Sequence, residues 1–372
     1  MNSVTIRPVR SRSDEKTFIK FQWVPYEGNP SWVPPLLLDR RKAIDRKNNP
    51  FYKHSTMEMF LAERGGRPVG RIAAIINDNH IREHQEKVGF FGFFESINDP
   101  EVAGALFDAA SAWLKERGME AVRGPASPSV NDEYGLLIDG FQHPPMILMA
   151  YNPPYYQTLV EGYGFTKAKD LYAYRLEDEK VFTEKLLRGT EIVRKRTGVT
   201  IRTIDFSQFT REVKILRDLY SRGWESNWGE VPMTEEEFAY AAKDLKTLAL
   251  PELVLIAEIK GRPVGFALTL PDYNQLLIHN RKGYLLPALL RIALQKKKMN
   301  QCRIIILGVL PEYQGKGLGG LMFYETGRRG VDRGFPVGEA SWVLEDNVMM
   351  VRGAELMGGE IWKRYRIYQK PL

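Results

Sequence analysis

The residues with the clearest chemical signal form a glycine-rich segment near the end of the chain. An apolar, strand-like run at 303–310 ends at Pro311, and the segment Gln314-Gly315-Lys316-Gly317-Leu318-Gly319-Gly320 then opens a helix. Glycines let backbone N–H groups approach an anion closely, and the first turn of a helix adds its positive end. The segment therefore predicts a binding site for a pyrophosphate.

Three phosphate-binding patterns compete for this segment. The Walker pattern requires Ser or Thr after Gly-Lys, but Gly317 follows Lys316, so that pattern fails. Gly315, Gly317 and Gly320 match the dinucleotide pattern G-x-G-x-x-G. However, residues 311–314 separate the strand from the first glycine, and too little chain remains for a dinucleotide fold. The third pattern is (Gln/Arg)-x-x-Gly-x-(Gly/Ala), which Gln314, Gly317 and Gly319 match.

With that third pattern, after a strand ending in Val-x-Pro, the chain resembles the GCN5-related N-acetyltransferase (GNAT) superfamily. The resemblance implies that the loop holds the pyrophosphate of acyl-coenzyme A. It also implies that the preceding strand splays from its neighbour, which exposes backbone groups to the pantetheine arm. The cofactor-binding residues implied in this way are Val309, Leu310, Gln314, Gly315, Lys316, Gly317, Leu318, Gly319 and Asn347.

The resemblance also implies direct transfer of the acyl group to an amine. The amine must then be positioned and deprotonated, and the leaving thiolate protonated. The usual acid is a tyrosine seven residues beyond the motif asparagine, but counting from Asn347 reaches Ala354. We predict Glu345 and Asn347 as catalytic residues, with Asp346 as a second candidate base. The alternative is that these residues only cap the next helix.

Two aromatic and polar stretches are candidates for the acceptor site. Trp224, Asn227 and Trp228 lie where the superfamily has a mobile helix pair over the acceptor. In the first half of the chain, Asn131 and Asp132 are predicted to bind the acceptor and Glu133 to orient the amine for catalysis. The alternative for both stretches is packing between elements.

An internal repeat predicts the architecture. The pentapeptide Gly-Arg-Pro-Val-Gly occurs at 66–70 and 261–265, each time between two apolar runs, and its proline is expected to preset a hairpin turn. Both halves continue in the order β-β-β-α-β-α-β. We therefore expect an α/β fold of two tandem GNAT-like modules, each a mixed, mostly antiparallel sheet with a splayed central strand pair flanked by helices.

The first module, 1–180, has no glycine loop and is predicted to be a degenerate copy on the acceptor side. Asp99 stands at its strand-to-helix turn and is expected to cap the helix. Residues 181–198 are predicted to form a helical connector, and 199–372 the catalytic module. An insertion at 271–301 is either a surface element or a wall whose leucines line an apolar tunnel.

The composition excludes a chain that is disordered or collagen-like as a whole. The chain of 372 residues carries 53 Lys and Arg against 46 Asp and Glu, and 44% of its residues are hydrophobic, as in ordinary globular domains. The N-terminus has no signal-peptide pattern, and a cytoplasmic location is expected. The single cysteine, Cys302, lies in an apolar run and is expected to be inert. No motif indicates nucleic-acid binding.

These patterns predict an acyl-CoA-dependent N-acyltransferase that moves an acetyl or longer acyl group to an amine. One alternative is a non-catalytic acyl-CoA sensor, and another is a long-chain, ceramide-type lipid-amine acyltransferase. A lipid acceptor would bring peripheral contact with a membrane. No metal site is expected, since His80 and His84 stand at helical spacing without a third ligand.

Overall fold

The computed structural model describes residues 3–225 and 227–372, without the side chain of residue 185. In the first half the strands are β1 (Val4–Pro8), β2 (Ser55–Arg64), β3 (Arg67–Asn77), β4 (Val88–Ser96), β5 (Ala121–Gly124), β6 (Ala126–Ser127), β7 (Glu133–Tyr134), β8 (Leu136–Asp139) and β9 (Thr166–Glu177). The helices there are α1 (Arg12–Phe21), α2 (Leu37–Ala43), α3 (Asp78–His84), α4 (Pro100–Lys115) and α5 (Tyr155–Gly162).

The second half repeats this alternation. Its helices are α6 (Asp178–Val181), α7 (Glu184–Thr197), α8 (Phe209–Trp224), α9 (Glu235–Leu248), α10 (Asn274–Leu277), α11 (Leu285–Gln295), α12 (Leu318–Asp332) and α13 (Val348–Leu356). Its strands are β10 (Thr200–Thr203), β11 (Val254–Ile259), β12 (Arg262–Pro271), β13 (Gln301–Val309), β14 (Val337–Leu344) and β15 (Glu360–Pro371). Short 3-10 turns cover Pro50–Lys53, Phe206–Gln208, Pro251–Leu253, Lys296–Lys298 and Pro311–Tyr313.

The repeated pentapeptide does mark two equivalent hairpins, but its prolines are not in the turns. The turn residues are Gly65 and Gly66 in one hairpin and Lys260 and Gly261 in the other, all with positive φ. Residues in the left-handed backbone conformation suit two-residue hairpin turns, because the twist of such a turn matches the twist of the flanking strands. Each proline instead lies in the following strand at a register shift, where the missing N–H costs no ladder bond.

The chain forms two compact units. The first comprises Met1–Leu171, Leu277–Arg291 and Lys363–Leu372, and the second comprises Tyr172–Leu276 and Ile292–Trp362. Each unit therefore takes its last strand segment from the other half of the chain. Residues 363–371 of β15 lie in the first unit, and residues 172–177 of β9 lie in the second.

In the first unit, β1 to β4 are antiparallel neighbours, β4 runs parallel to β5, and β5 is antiparallel to β15. Helix α4 packs its apolar side, with Val102, Leu106 and Ala110, against Ile72 of β3. Asp99 accepts a hydrogen bond from Glu101 N at 2.9 Å and caps α4, as expected from the sequence.

In the second unit the strand order is β10-β11-β12-β13-β14, with β9 next to β14. Successive residues of β12 enter different clusters, Phe266 with α8 and α9, and Ala267 with α7 and α12. This alternation is the period of a strand with both faces covered. The sheet thus holds α12 on one side and α8 on the other.

Candidate active site

The central parallel strands of the second unit part after a short pairing. β13 and β14 pair from Gln301 with Val337 to Ile304 with Ala340, and both strands then continue, to Val309 and Leu344. Their carboxyl halves are thus free to diverge. This is the splayed pair that the sequence predicts for the cofactor-binding module.

The glycine loop lies at the end of β13. Gly315 and Gly317 have φ of +70° and +85°, and Gly317 is the N-cap of α12. A Cβ placed on Gly315, Gly319 or Gly320 would meet nothing within 4 Å. The loop and the first turn of α12 therefore border open space, where the first N–H groups of the helix lack partners within it. This arrangement fits the pyrophosphate of an acyl-CoA.

Basic residues stand beside the loop. Arg196, in the last turn of α7, donates to Lys316 O, and Val193 of the same helix packs where a Cβ on Gly317 would lie. Lys316 Nζ donates to Glu312 O at 2.8 Å and lies 5.1 Å from the Tyr313 ring centre. The helix between the repeats thus adds positive charge to the loop, which suits a polyanionic ligand.

The other predicted cofactor residues have different surroundings. The side chains of Val309, Leu310 and Leu318 are buried in the core, so these side chains are not available to a ligand. Leu310 N already donates to Val264 O at 2.8 Å, which argues against it as a donor to the pantetheine arm. Gln314 Nε2 lies 3.5 Å from Val309 O.

Glu345, Asp346 and Asn347 form the turn between β14 and α13. Asn347 accepts a hydrogen bond from Met350 N at 3.1 Å and is the N-cap of α13. Capping is therefore its observed role, and a catalytic role for Asn347 or Glu345 stays a prediction. Ala354 is completely buried, with its carbonyl 2.7 Å from where a Cβ on Gly359 would lie. The chain thus offers no acid at that position.

Trp224 lies on the opposite side of β13 from α12. Its ring stacks on Tyr220 at 5.1 Å, and a Cβ on Gly308 would be 2.4 Å from it. Asn227 N donates to Trp224 O at 2.8 Å. Trp224 thus packs beside Gly308, which directly precedes Val309 in β13. Acceptor binding by Trp224, Asn227 and Trp228 stays a prediction.

A buried polar cluster that we did not predict lies where β13 and β14 part. Arg303 Nε donates to Ser341 Oγ at 2.8 Å, and Ser341 Oγ donates to Glu339 at 2.5 Å. Trp362 Nε1 donates to the other oxygen of Glu339 at 2.8 Å. The sequence feature that could have indicated this cluster is a charged residue inside each of two apolar strands, Arg303 in β13 and Glu339 in β14. Charged residues are rarely buried without partners.

In the first unit the corresponding gap is filled by the chain itself. A Cβ on Gly92 of β4 would lie 1.7 Å from Ala126 O, and Phe93 N donates to Ser127 Oγ at 2.8 Å. The hairpin of β6 and β7 therefore occupies the space beside β4. This agrees with the absence of a glycine loop from the first module.

The predicted acceptor residues of the first unit belong to this hairpin. Glu133 forms an ion pair with the mostly buried Arg40, with Arg40 Nη1 3.1 Å from Glu133 Oε2. Ser129 Oγ donates to Asp132 at 2.6 Å, and Asn131 N donates to Ser129 Oγ at 3.1 Å. These contacts favour the structural alternative, and an acceptor role for the three residues stays a prediction.

The same unit contains a fully buried ion pair, Arg71 with Glu95. Arg71 Nη2 is 3.4 Å from Glu95, and Tyr156 donates to Glu95 at 2.6 Å. Burial raises the pKa of Glu95 to about 7, against the lowering effect of Arg71. The folded state thus holds the Glu95 proton more tightly than the unfolded chain does.

This shift predicts a pH-dependent loss of stability. The contribution of Glu95 is present below its unfolded pKa and is lost as the pH rises through about 7. We expect Glu95→Gln to reduce the fall in unfolding free energy between pH 5 and pH 8 by about 1–3 kcal/mol. Urea unfolding of both proteins at the two pH values measures this difference, and identical pH profiles would contradict it.

Two other side chains considered in the sequence analysis, those of His80 and Cys302, are buried. His80 is buried, with Nε2 2.9 Å from Glu86, and burial lowers its pKa to about 4. Burial raises the pKa of Cys302 to about 12, so its thiol stays protonated. Within residues 3–225 and 227–372, no group of three His, Cys, Asp or Glu is placed to hold a metal ion. Over the same ranges, none of the helices combines the length and the hydropathy of a membrane-spanning segment.

Both the fold and the sequence define the class of this protein. Residues 213–352 match the family described as the acetyltransferase (GNAT) family. A tandem GNAT protein from the clavulanic acid biosynthesis pathway has the same fold, with a TM-score of 0.58 and 12% identity over 99% of this chain and 98% of that one. This chain belongs to the GNAT family, a family of acyltransferases.

Two relatives align with nearly the whole chain. Protein YghO of Escherichia coli is 37% identical over 99% of this chain and 95% of its own length. The bacterial ceramide synthase of Caulobacter vibrioides is 36% identical over 99% of this chain and 98% of its own length.

Proposed function

We propose that this protein is an acyl-CoA-dependent N-acyltransferase that acylates a long-chain lipid amine and forms a ceramide-type amide. The observation that carries the acyl-CoA part is the open glycine loop at the end of β13, beside parallel strands that part. The lipid part is supported by the end-to-end relationship with a bacterial ceramide synthase.

Bound acyl-CoA supplies an acyl group activated as a thioester. We assign its pyrophosphate to the backbone between Gln314 and Gly319, with Lys316 and Arg196 as neighbouring cations. Glu345 is the proposed base that accepts the proton of the amine. With Ala354 buried at the usual tyrosine position, we propose that the thiolate leaves without an acid from α13.

Exposed apolar residues near this site favour an apolar substrate. Val348 and Met349 directly follow Asn347 in the first turn of α13, and their side chains are 53% and 60% exposed. Exposed large apolar side chains at the edge of a site are typical of surfaces that receive an apolar ligand. An acyl chain or lipid tail is a suitable partner for them.

The second candidate is a non-catalytic acyl-CoA sensor, and the observation that favours it is Ala354. A chain that binds the thioester but lacks the usual acid could couple binding to a protein partner. The two candidates differ in whether the thioester is ever broken.

Thiol release and product mass separate these candidates. The protein is incubated with acyl-CoA thioesters from acetyl to long-chain, each with short amines or a long-chain amino alcohol. We expect amine-dependent thiol release, and a product heavier than the amine by one acyl group, only with the amino alcohol. Release with short amines alone would contradict the lipid acceptor. Acyl-CoA binding without release with any amine would favour the sensor.

A further inference from the structure

Helix α11 presents an apolar surface to solvent. Six large apolar side chains within 284–294 are exposed by 40% or more: Tyr284, Leu285, Leu286, Leu289, Leu290 and Leu294. Leu286 and Leu294 reach 67% and 81%. We call this set the α11 leucine face. Such exposure favours the surface element of the two alternatives that the sequence leaves open, over a wall whose leucines line an apolar tunnel.

The opposite side of α11 attaches it to the protein. Ala288 is 1% exposed, and Ile292 and Gln295, at helical spacing from it, are only partly exposed. Ile292 packs against the buried cluster that contains Cys302 and Phe335. The helix is therefore apolar on two sides, with one side used for packing and the other directed outward.

The start of α11 is firmly fixed, so its exposure is not that of a loose segment. Leu37 N donates to Gly283 O at 2.9 Å, and Trp23 Nε1 donates to Arg281 O at 2.9 Å. Gly283 has φ of +67°, and a Cβ there would lie 2.5 Å from Pro35 O. These contacts hold the α11 leucine face in one orientation.

Positive charge flanks the leucine face at both ends. Lys282 precedes the helix and Lys296, Lys297 and Lys298 follow it, and all four are exposed. Leucines on one face with lysines at the margins are typical of helices that lie in a membrane interface. The apolar side chains enter the acyl boundary while the lysines meet anionic headgroups.

We propose that the α11 leucine face docks the protein on an anionic lipid bilayer surface. The charges favour this partner over a second copy of the chain. Whether two α11 helices pack parallel or antiparallel, lysine-bearing ends meet lysine-bearing ends. Docking is independent of catalysis, so it is tested without acyl-CoA or amine.

The test is co-sedimentation with vesicles of phosphatidylcholine, with and without phosphatidylglycerol. We expect wild-type protein to bind the anionic vesicles and to lose binding as salt rises from about 0.1 M to about 1 M. The double variant Leu286→Asp/Leu290→Asp should bind at least about tenfold more weakly. Ile192→Asp, at a 62% exposed apolar residue on α7, is the matched control and should bind as wild type.

A second variant covers the case in which the double variant fails to fold, as judged by its circular dichroism melt. Lys296→Glu/Lys297→Glu/Lys298→Glu changes only exposed charges and should weaken binding to anionic vesicles alone. Equal binding by this variant and the wild type would overturn the proposal, as would wild-type protein that binds no vesicles. Dimerisation through this face, seen as a sedimentation shift that the double variant abolishes without vesicle binding, would also overturn it.

Discussion

Gly319→Glu should weaken binding of coenzyme A by at least about 100-fold. Gly319 lies in the first turn of α12, where a Cβ meets nothing within 4 Å, so a side chain there enters the space assigned to the pyrophosphate. The carboxylate then opposes the phosphate charge at the positive end of the helix. Isothermal titration calorimetry with coenzyme A measures the dissociation constant.

Gly319→Ala is the matched control. The motif accepts Ala at this position and open space surrounds it, so binding should change little. Gly319→Gln separates size from charge, since it has the bulk of Glu without the charge. Gly317 is a less suitable test because its φ of +85° strains any other residue, and a Cβ there would meet Val193 at 2.6 Å. Undiminished binding by Gly319→Glu would place the pyrophosphate elsewhere.

Glu345→Gln should lower kcat for acyl transfer by about 10²–10⁴-fold and leave coenzyme A binding unchanged. Gln keeps the size of the side chain but cannot accept the proton of the amine at neutral pH. The measurement is amine-dependent thiol release across a range of pH, together with the coenzyme A dissociation constant.

The neighbouring Asp346 provides the control for this assignment. Asp346→Asn removes a carboxylate from the same turn and should retain most of the activity. A large loss in Asp346→Asn with an active Glu345→Gln would transfer the role of base to Asp346. Full activity in both variants would place the base outside the turn after β14.

The features that the sequence predicts are those with local causes. The glycine loop, the two equivalent hairpins and the cap at Asp99 each depend on residues within a few positions of one another. The same local reasoning misplaced the hairpin turns by one or two residues, because Gly65 and Lys260 carry the left-handed conformation and the motif prolines do not.

The features that the sequence misses depend on pairing between distant residues. Arg40 meets Glu133 across 93 positions, and Arg303 meets Ser341 across 38. Hydrophobic periodicity places such residues on a strand or a helix but does not say which partner neutralises them. The contact of Trp224 with Gly308 is likewise set by how α8 lies on the sheet.

The exchange of strand segments between the units limits how this gene can be shortened. The first unit needs residues 363–371 beside β5, and the second needs residues 172–177 of β9. Deletion of either half of the coding sequence leaves the remaining half with an unpaired sheet edge, which invites aggregation. Each half of the coding sequence thus supplies a strand segment that the other half needs, so the two halves are inherited as one piece.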